Sequence, residues 1–243
     1  TNYVGHLGFY SGYSGHCGHG NCGQKNGAKK LAMREFGLIG KSLKHSFSKS
    51  FFEEKFSKEQ LSDCLYELFE LNAINEFPDL IKRHPNFVGL NVTIPYKEEI
   101  IPFLDELDAT AKAIGAVNTI RIHEGKLTGF NTDTTGFSKS IRPFLEGHHE
   151  RALILGTGGA AKAVAHALKQ LGINCLFVSR NPQNEQTVRY EDIHPEGLAV
   201  WPLIINCTPT GMFPQVNEHP NLPMEAIGPS HFVVDLIYNP AET

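Results

Sequence analysis

The sequence predicts an α/β protein of two domains, each built on a largely parallel sheet with helices packed against it. Three observations carry that expectation. Short apolar, β-branched runs alternate with segments of helical period, the pattern of right-handed strand–helix–strand crossovers. A glycine turn over 156–161 lies between one such run and an alanine-rich segment. The 243 residues, 41% of them hydrophobic, suffice for two cores of ordinary size.

In chain order, 34–39 reads as the first strand. Ser50 followed by Glu53 has the form of a capping box opening a helix, because the serine oxygen and the carboxylate can each satisfy an end amide. Residues 64–71 alternate apolar and polar as a strand does, and a helical period around 75–83 leads to a β-branched strand over 88–94. Pro95 has no amide to give a central ladder, so the chain must leave the sheet there. Residues 117–122 and 126–130 form a hairpin turned at Glu124 and Gly125, and Asn131, Thr132 and Asp133 lead into a helix start.

Two charged residues fall at strand mouths in this reading. Lys97 stands just past the strand that Pro95 ends, and Asp133 just past the hairpin. They supply a candidate acid–base pair, an ammonium able to give a proton and a carboxylate able to orient it. On spacing alone a plainer reading is favoured: a solvated lysine beside Glu98 and Glu99, and an ordinary N-cap.

A second site strengthens the case. Residues 152–155 are a short apolar run, Gly156, Gly158 and Ala161 fill the pattern G-x-G-x-x-G/A, and an alanine-rich helix runs on to Gly172. This is the fingerprint of a Rossmann-like dinucleotide site. Gly156 permits the tight turn, Gly158 lets backbone approach a pyrophosphate, and Ala161 lets the helix pack closely on the strand. Gly159 and Ala160 complete the helix-start amides that face the anion. The next strand, 174–178, ends at Ser179, Arg180 and Asn181 with no acid to take a ribose 2′-hydroxyl; an arginine there suits a 2′-phosphate and favours NADP. Further strands are expected at 203–207 and 232–237.

Composition bounds the partners. A formal charge of −4 and a pI near 6.3 offer no basic patch for nucleic acid or an anionic membrane. No apolar stretch reaches the roughly 18 residues of a membrane span. Five cysteines are an odd number, and Cys175 and Cys207 fall in predicted strands as reduced core thiols, pointing to the cytoplasm. Cys207 has no evident histidine partner that would make it a nucleophile. Residues 1–32 repeat Gly, Tyr and His without any period, so they are expected to be a non-native or disordered leader, with Met33 the natural start. The spacing of His16, Cys17, His19 and Cys22 matches no common zinc site, and no metal is expected.

Five blocks, taken together, are highly specific: Phe36 to Ser48, Gly89 to Lys97, Gly115 to Thr119 with Gly129 to Asp133, the glycine turn, and Ile205 to Met212 followed by Asp235 to Pro240. In order and spacing they resemble the shikimate dehydrogenases, over 34–243. The resemblance implies a three-layer α/β substrate domain over 33–132, a Rossmann-like NADP-binding domain over 133–243, and an active site in the inter-domain cleft. It implies NADPH-dependent, reversible reduction of 3-dehydroshikimate to shikimate in aromatic amino-acid biosynthesis, by a monomer or homodimer. Ser46 and Ser48 would hold the substrate carboxylate, and Thr93, Asn118 and Asp133 the ring hydroxyls. Lys97 would be catalytic with Asp133. Tyr238 would line the same cleft, with Thr208 and Met212 beside the nicotinamide. His45, next to Ser46, reads at least as well as a holder of its loop as a substrate contact.

Departures from the family pattern are specific. Ser42 and Lys49 stand where prolines are usual, Phe52 where a histidine is, and Asn184 where a second phosphate-binding arginine often is. Family members continue past the equivalent of Thr243 through helices bearing a substrate-touching glutamine, so this chain is expected to expose an apolar seam, keep its NADP site and bind shikimate poorly. Oxidation of quinate as well, or a non-catalytic NADP or shikimate sensor on the same fold, are the alternatives. Lys97 with Asp133 argues against the sensor.

Overall fold

The computed structural model describes residues 33–44, 46–182 and 184–237. The expected leader, His45 and Tyr238 lie outside them. The described residues form two compact units, one of 33–113 with 117–130 and the other of 114–116 with 131–237.

The first unit carries β1 (Arg34–Gly40), α1 (Ser48–Lys58), β2 (Cys64–Glu70), α2 (Phe77–Arg83), β3 (Phe87–Val92), β4 (Glu106–Leu107), most of α3 (Ala109–Ile114), β5 (Thr119–His123) and β6 (Lys126–Phe130). Its sheet runs β2-β1-β3-β5-β6-β4. β1 is parallel to β2 and β3, while β5 is antiparallel to both β3 and β6. Period-two alternation divides the faces. Phe36 and Leu38 join Phe52 and Phe56 of α1, whereas Ile39, Leu90 and Val92 join Phe77 and Leu80 of α2. Helix, sheet and helix make three layers, and each fully buried side chain among them, such as Ile39, Phe77 and Leu90, contributes about 1.5–3 kcal/mol.

Boundaries differ from expectation where side chains compete for backbone. α1 opens at Ser48, two residues before the expected capping box. Ser46 Oγ accepts the Ser48 amide at 3.2 Å, while the Ser50 hydroxyl, already inside the first turn, donates back to the Phe47 carbonyl at 3.0 Å and does not cap. β3 ends at Val92 rather than at residue 94, because the Thr93 carbonyl accepts the Tyr96 amide at 3.0 Å and starts a turn. Buried Tyr96 anchors that turn through its hydroxyl, which donates to the Leu71 carbonyl at 2.6 Å. The hairpin turns where expected, with positive φ at both Glu124 and Gly125, as the twist of two antiparallel strands favours. Asp108 caps α3, accepting the amides of Thr110 and Ala111.

The second unit carries α4 (Asp133–Ile141), β7 (Arg151–Leu155), α5 (Gly159–Gln170), β8 (Asn174–Val178), β9 (Thr187–Val188), α6 (Pro195–Leu198), β10 (Leu203–Asn206) and β11 (Phe232–Asp235). All five strands are parallel, in the order β11-β10-β7-β8-β9. Phe137 and Ile141 of α4 and Ala161, Val164, Ala167 and Leu168 of α5 cover Ala152, Ile154, Leu203, Ile205 and Val234. Leu153, Leu155, Val178 and Ile204 face the other way, toward Leu198 and Trp201. β10 and β11 stop short of residues 207 and 237 because Asn206 Oδ1 takes the Thr208 amide and Asp235 Oδ1 the Ile237 amide. Cys207 therefore lies just past β10, half-buried, and burial pushes the Cys175 thiol up to about 11, leaving it protonated and inert. Among the described residues no helix is long and apolar enough to cross a membrane.

Candidate active site

Backbone hydrogen bonds gather the candidate substrate residues of the first unit. The Val92 amide donates to the Asn118 carbonyl at 2.8 Å, the Val117 amide to the Lys97 carbonyl at 2.7 Å, and the Asn118 amide to the Phe130 carbonyl at 3.0 Å. Thr93, Lys97 and Asn118 are thus drawn to the C-terminal mouth of β3. Asn118 is buried, and its Oδ1 accepts the Thr119 hydroxyl at 3.1 Å. Lys97 is half-buried, unlike a solvated surface lysine. Ser46 and Ser48 share the turn into α1, with Ser48 buried and Ser46 half-buried.

Asp133 belongs to the second unit and is the first residue of α4, 9% exposed. Its position is therefore not an N-cap. The neighbouring Asn131 makes the local turn instead, accepting the Thr134 amide at 3.3 Å and donating from Nδ2 to the Ala116 carbonyl at 3.0 Å. A carboxylate in the first turn of a helix is favoured by the helix dipole.

The glycine turn lies where the strand order reverses, between β7 and β10, and in such sheets ligands bind beyond the strand ends at that crevice. Gly156 has φ +101°, and a Cβ there would come within 3.2 Å of Thr208 Cγ2. Only glycine meets both demands. Gly158 differs: a Cβ would meet nothing within 4 Å, so no neighbour in the chain forbids one. Gly158 is the extended N-cap of α5 and no side chain caps the helix there, which leaves an open approach to the amides of Gly159, Ala160 and Ala161. These residues fit the pyrophosphate of a dinucleotide.

Ser179 and Arg180 follow β8. Ser179 Oγ accepts the Asn181 amide at 3.3 Å, turning the chain so that Arg180 is exposed. Burial holds the Tyr190 phenol above its ordinary pKa, with the Arg180 charge pulling it down and Cys207 pushing it up. Asn184, in place of a second arginine, accepts the Gln186 amide and the Thr187 hydroxyl and shapes the loop. Across the crevice Thr208 is half-buried and Met212 is 39% exposed.

Asn206 was not among the sequence candidates, yet it organises this side. Its Oδ1 accepts the Thr208 amide at 3.0 Å and the Thr208 hydroxyl at 2.6 Å, and its Nδ2 donates to the Thr210 carbonyl and to Asp235 Oδ1. The signal was present as a lone amide ending an apolar strand. Among the described residues no group of three or more His, Cys, Asp or Glu side chains could hold a metal.

Residues 38–120 match the family described as the shikimate dehydrogenase substrate binding domain. The NADP(+) shikimate dehydrogenase of Caldicellulosiruptor bescii is 35% identical over 228 residues, 87% of this chain and 78% of that one. The chain belongs to the shikimate dehydrogenase family. Among solved structures of that family, shikimate dehydrogenase 1 of Peptoclostridium difficile superposes with a TM-score of 0.75 at 35% identity, over 87% of this chain and 80% of that one. The Thermus thermophilus enzyme, solved with NADP(H) and shikimate, gives 0.74 at 31% identity, over 86% and 80%. The family's substrate-binding and Rossmann-like architecture is thus the architecture of this chain. Two departures from the family pattern acquire a local account. Lys49 Nζ pairs with Glu67 Oε2 at 2.5 Å, and the Phe52 ring stacks on Tyr66 with centroids 4.4 Å apart.

Proposed function

We propose that the chain catalyses the NADP-dependent, reversible interconversion of 3-dehydroshikimate and shikimate, a step toward aromatic amino acids, in the cytoplasm and as a monomer or homodimer. The observation that carries this reading is the length and closeness of its kinship with shikimate dehydrogenases named for NADP(+), at 35% identity over 87% of the chain. The open glycine turn supports it independently, because its shape suits a dinucleotide.

When bound, the reduced cofactor supplies the hydride that the ketone carbon accepts. The amides of Gly159, Ala160 and Ala161 would take the pyrophosphate, Ser179 and Arg180 the 2′-phosphate, and Thr208 and Met212 would flank the nicotinamide. In the first unit Ser46 and Ser48 would hold the substrate carboxylate, and Thr93 and Asn118 the ring hydroxyls; Tyr238, outside the described residues, would be a further substrate contact. Lys97 would stabilise the negative oxygen that develops as hydride arrives and give it a proton. Asp133 would accept a hydrogen bond from a ring hydroxyl and fix the ring's orientation.

Purified protein should be assayed with shikimate and with quinate, each against NADP+ and NAD+, by the absorbance of the reduced nicotinamide. Turnover should be greatest with shikimate and NADP+. Greater kcat/KM with quinate would replace the substrate assignment, and binding of both ligands with no turnover would make the chain a sensor.

A further inference from the structure

On the α1 face of the first sheet a polar chain runs through a layer that is otherwise aromatic and aliphatic. Tyr66, on the edge strand β2, donates from its hydroxyl to Asn91 Oδ1 on β3 at 2.8 Å, passing over the intervening β1. Asn91 Nδ2 then donates to Thr119 Oγ1 at 3.4 Å, and the Thr119 hydroxyl donates to Asn118 Oδ1 at 3.1 Å. Tyr66 is 2% exposed, Thr119 5% and Asn118 8%. The tyrosine ring lies nearly flat on Phe52, at an interplanar angle of 10°, inside the cluster of Leu38, Leu43, Phe36 and Phe56.

Buried polar groups are costly unless each finds its partner, so a continuous chain of this kind is held by all its links at once. It also has a direction. A primary amide carries an acceptor on one side and donors on the other, and which side faces where is set by its neighbours. With Oδ1 accepting from Thr119, the Asn118 amide has its donor, Nδ2, on the opposite side, and a flipped amide would exchange donor and acceptor.

We infer that Tyr66 is a positioning residue for substrate binding: acting through Asn91 and Thr119, its hydroxyl fixes the orientation of the Asn118 amide. The inference rests on the proposed contact between Asn118 and a ring hydroxyl. Phe52 has a part in it as the face against which the tyrosine ring is held.

Tyr66→Phe keeps the stacked ring and removes only the hydroxyl. KM for shikimate should rise by about 3- to 10-fold, the size of one lost hydrogen bond, with kcat and KM for NADP+ staying within about twofold. Thr119→Val should do the same, and Thr119→Ser, which keeps the hydroxyl, should restore the wild-type KM. Because both changes cut one chain, Tyr66→Phe with Thr119→Val should be no worse than the poorer single variant. A lower melting temperature with unchanged KM for shikimate would reduce Tyr66 to a packing residue and overturn the inference, as would fully additive effects. Asn118→Ala separates the two readings: if it leaves KM for shikimate unchanged, the substrate role of Asn118 fails, whereas if it raises KM and Tyr66→Phe does not, only the positioning role fails. Calorimetric titration of shikimate into the NADP+ complex gives the same comparison where turnover is slow.

Discussion

In the six-stranded sheet the candidate site consists of side chains delivered from strand ends, whereas in the five-stranded sheet it consists mainly of backbone. Thr93, Lys97 and Asn118 each bring a distinct functional group, gathered by the hydrogen bonds around β3 and β5. The glycine turn offers amides and empty space, set by a positive φ and by the absence of side chains. Truncating a side chain should therefore remove function from the first unit and leave its fold. In the second, adding a side chain is what should do harm.

The largest expected effect tests the first half of that comparison. Lys97→Ala should lower kcat by roughly 10²- to 10⁴-fold, the usual contribution of a positioned acid–base group, while NADP+ titration gives an unchanged affinity. Near-normal turnover would remove Lys97 from the chemistry. Arg180→Asp comes next and concerns the charged member of the proposed nucleotide-binding set. Loss of a charge-assisted contact should weaken NADP+ by about 1.5–3 kcal/mol and shift the preference toward NAD+; equal NADP+ binding before and after would show that Arg180 does not read the 2′-phosphate.

A pair of glycine variants sharpens the comparison further. Gly156→Ala should lower stability by about 1–3 kcal/mol, the range for backbone strain of this kind, since both the φ of +101° and Thr208 oppose a side chain. Gly158→Ala should leave the melting temperature alone and weaken NADP+ several-fold, because its Cβ meets no protein atom. Equal destabilisation by the two would mean that the space before α5 is structural rather than reserved for a ligand.

The smallest effect is one of pH. Burial first and His148 second hold the His149 ring below its ordinary pKa of 6.5, against a small opposing pull from Glu146. The neutral ring is the form that accepts the Glu146 amide through Nδ1 at 2.9 Å. The contribution is therefore complete above about pH 6.5, where folded and unfolded rings are both neutral. It is lost as the pH falls below that value and the unfolded chain takes up the proton first. Melting temperatures of wild type and His149→Gln should converge as the pH falls from about 7 to about 5. Parallel curves would show that His149 carries no such linkage.

Much of this was legible in the sequence where a local signal and a long-range requirement agreed. The glycine turn was readable because the positive φ at Gly156 and the strand-then-helix context around it are local, and the hairpin because two residues with positive φ suffice to turn it. Boundaries were lost where Ser46, Asn206 and Asp235 took backbone amides for themselves, a competition that periodicity does not record. β4 and β9, two residues each, carry no period to detect. The chain from Tyr66 to Asn118 was hidden for another reason. Its links join residues 25 and 28 positions apart, and β1 lies between the first two.

The strand order of the second sheet bears on how the chain is made. β7 pairs with β8 across a single helix, but its other side waits for β10, which is translated about fifty residues later. At 5–20 residues per second that interval is roughly 2.5–10 s. Throughout it the central strand of the nascent unit has at least one bare edge, a template for mispairing with another chain. Nascent chains stalled just before Leu203 should accordingly be more readily cleaved by protease, and more readily bound by a holding chaperone, than chains stalled after β11 has emerged. No such difference is expected for chains stalled on either side of β6, whose partner strand β5 precedes it by a two-residue turn.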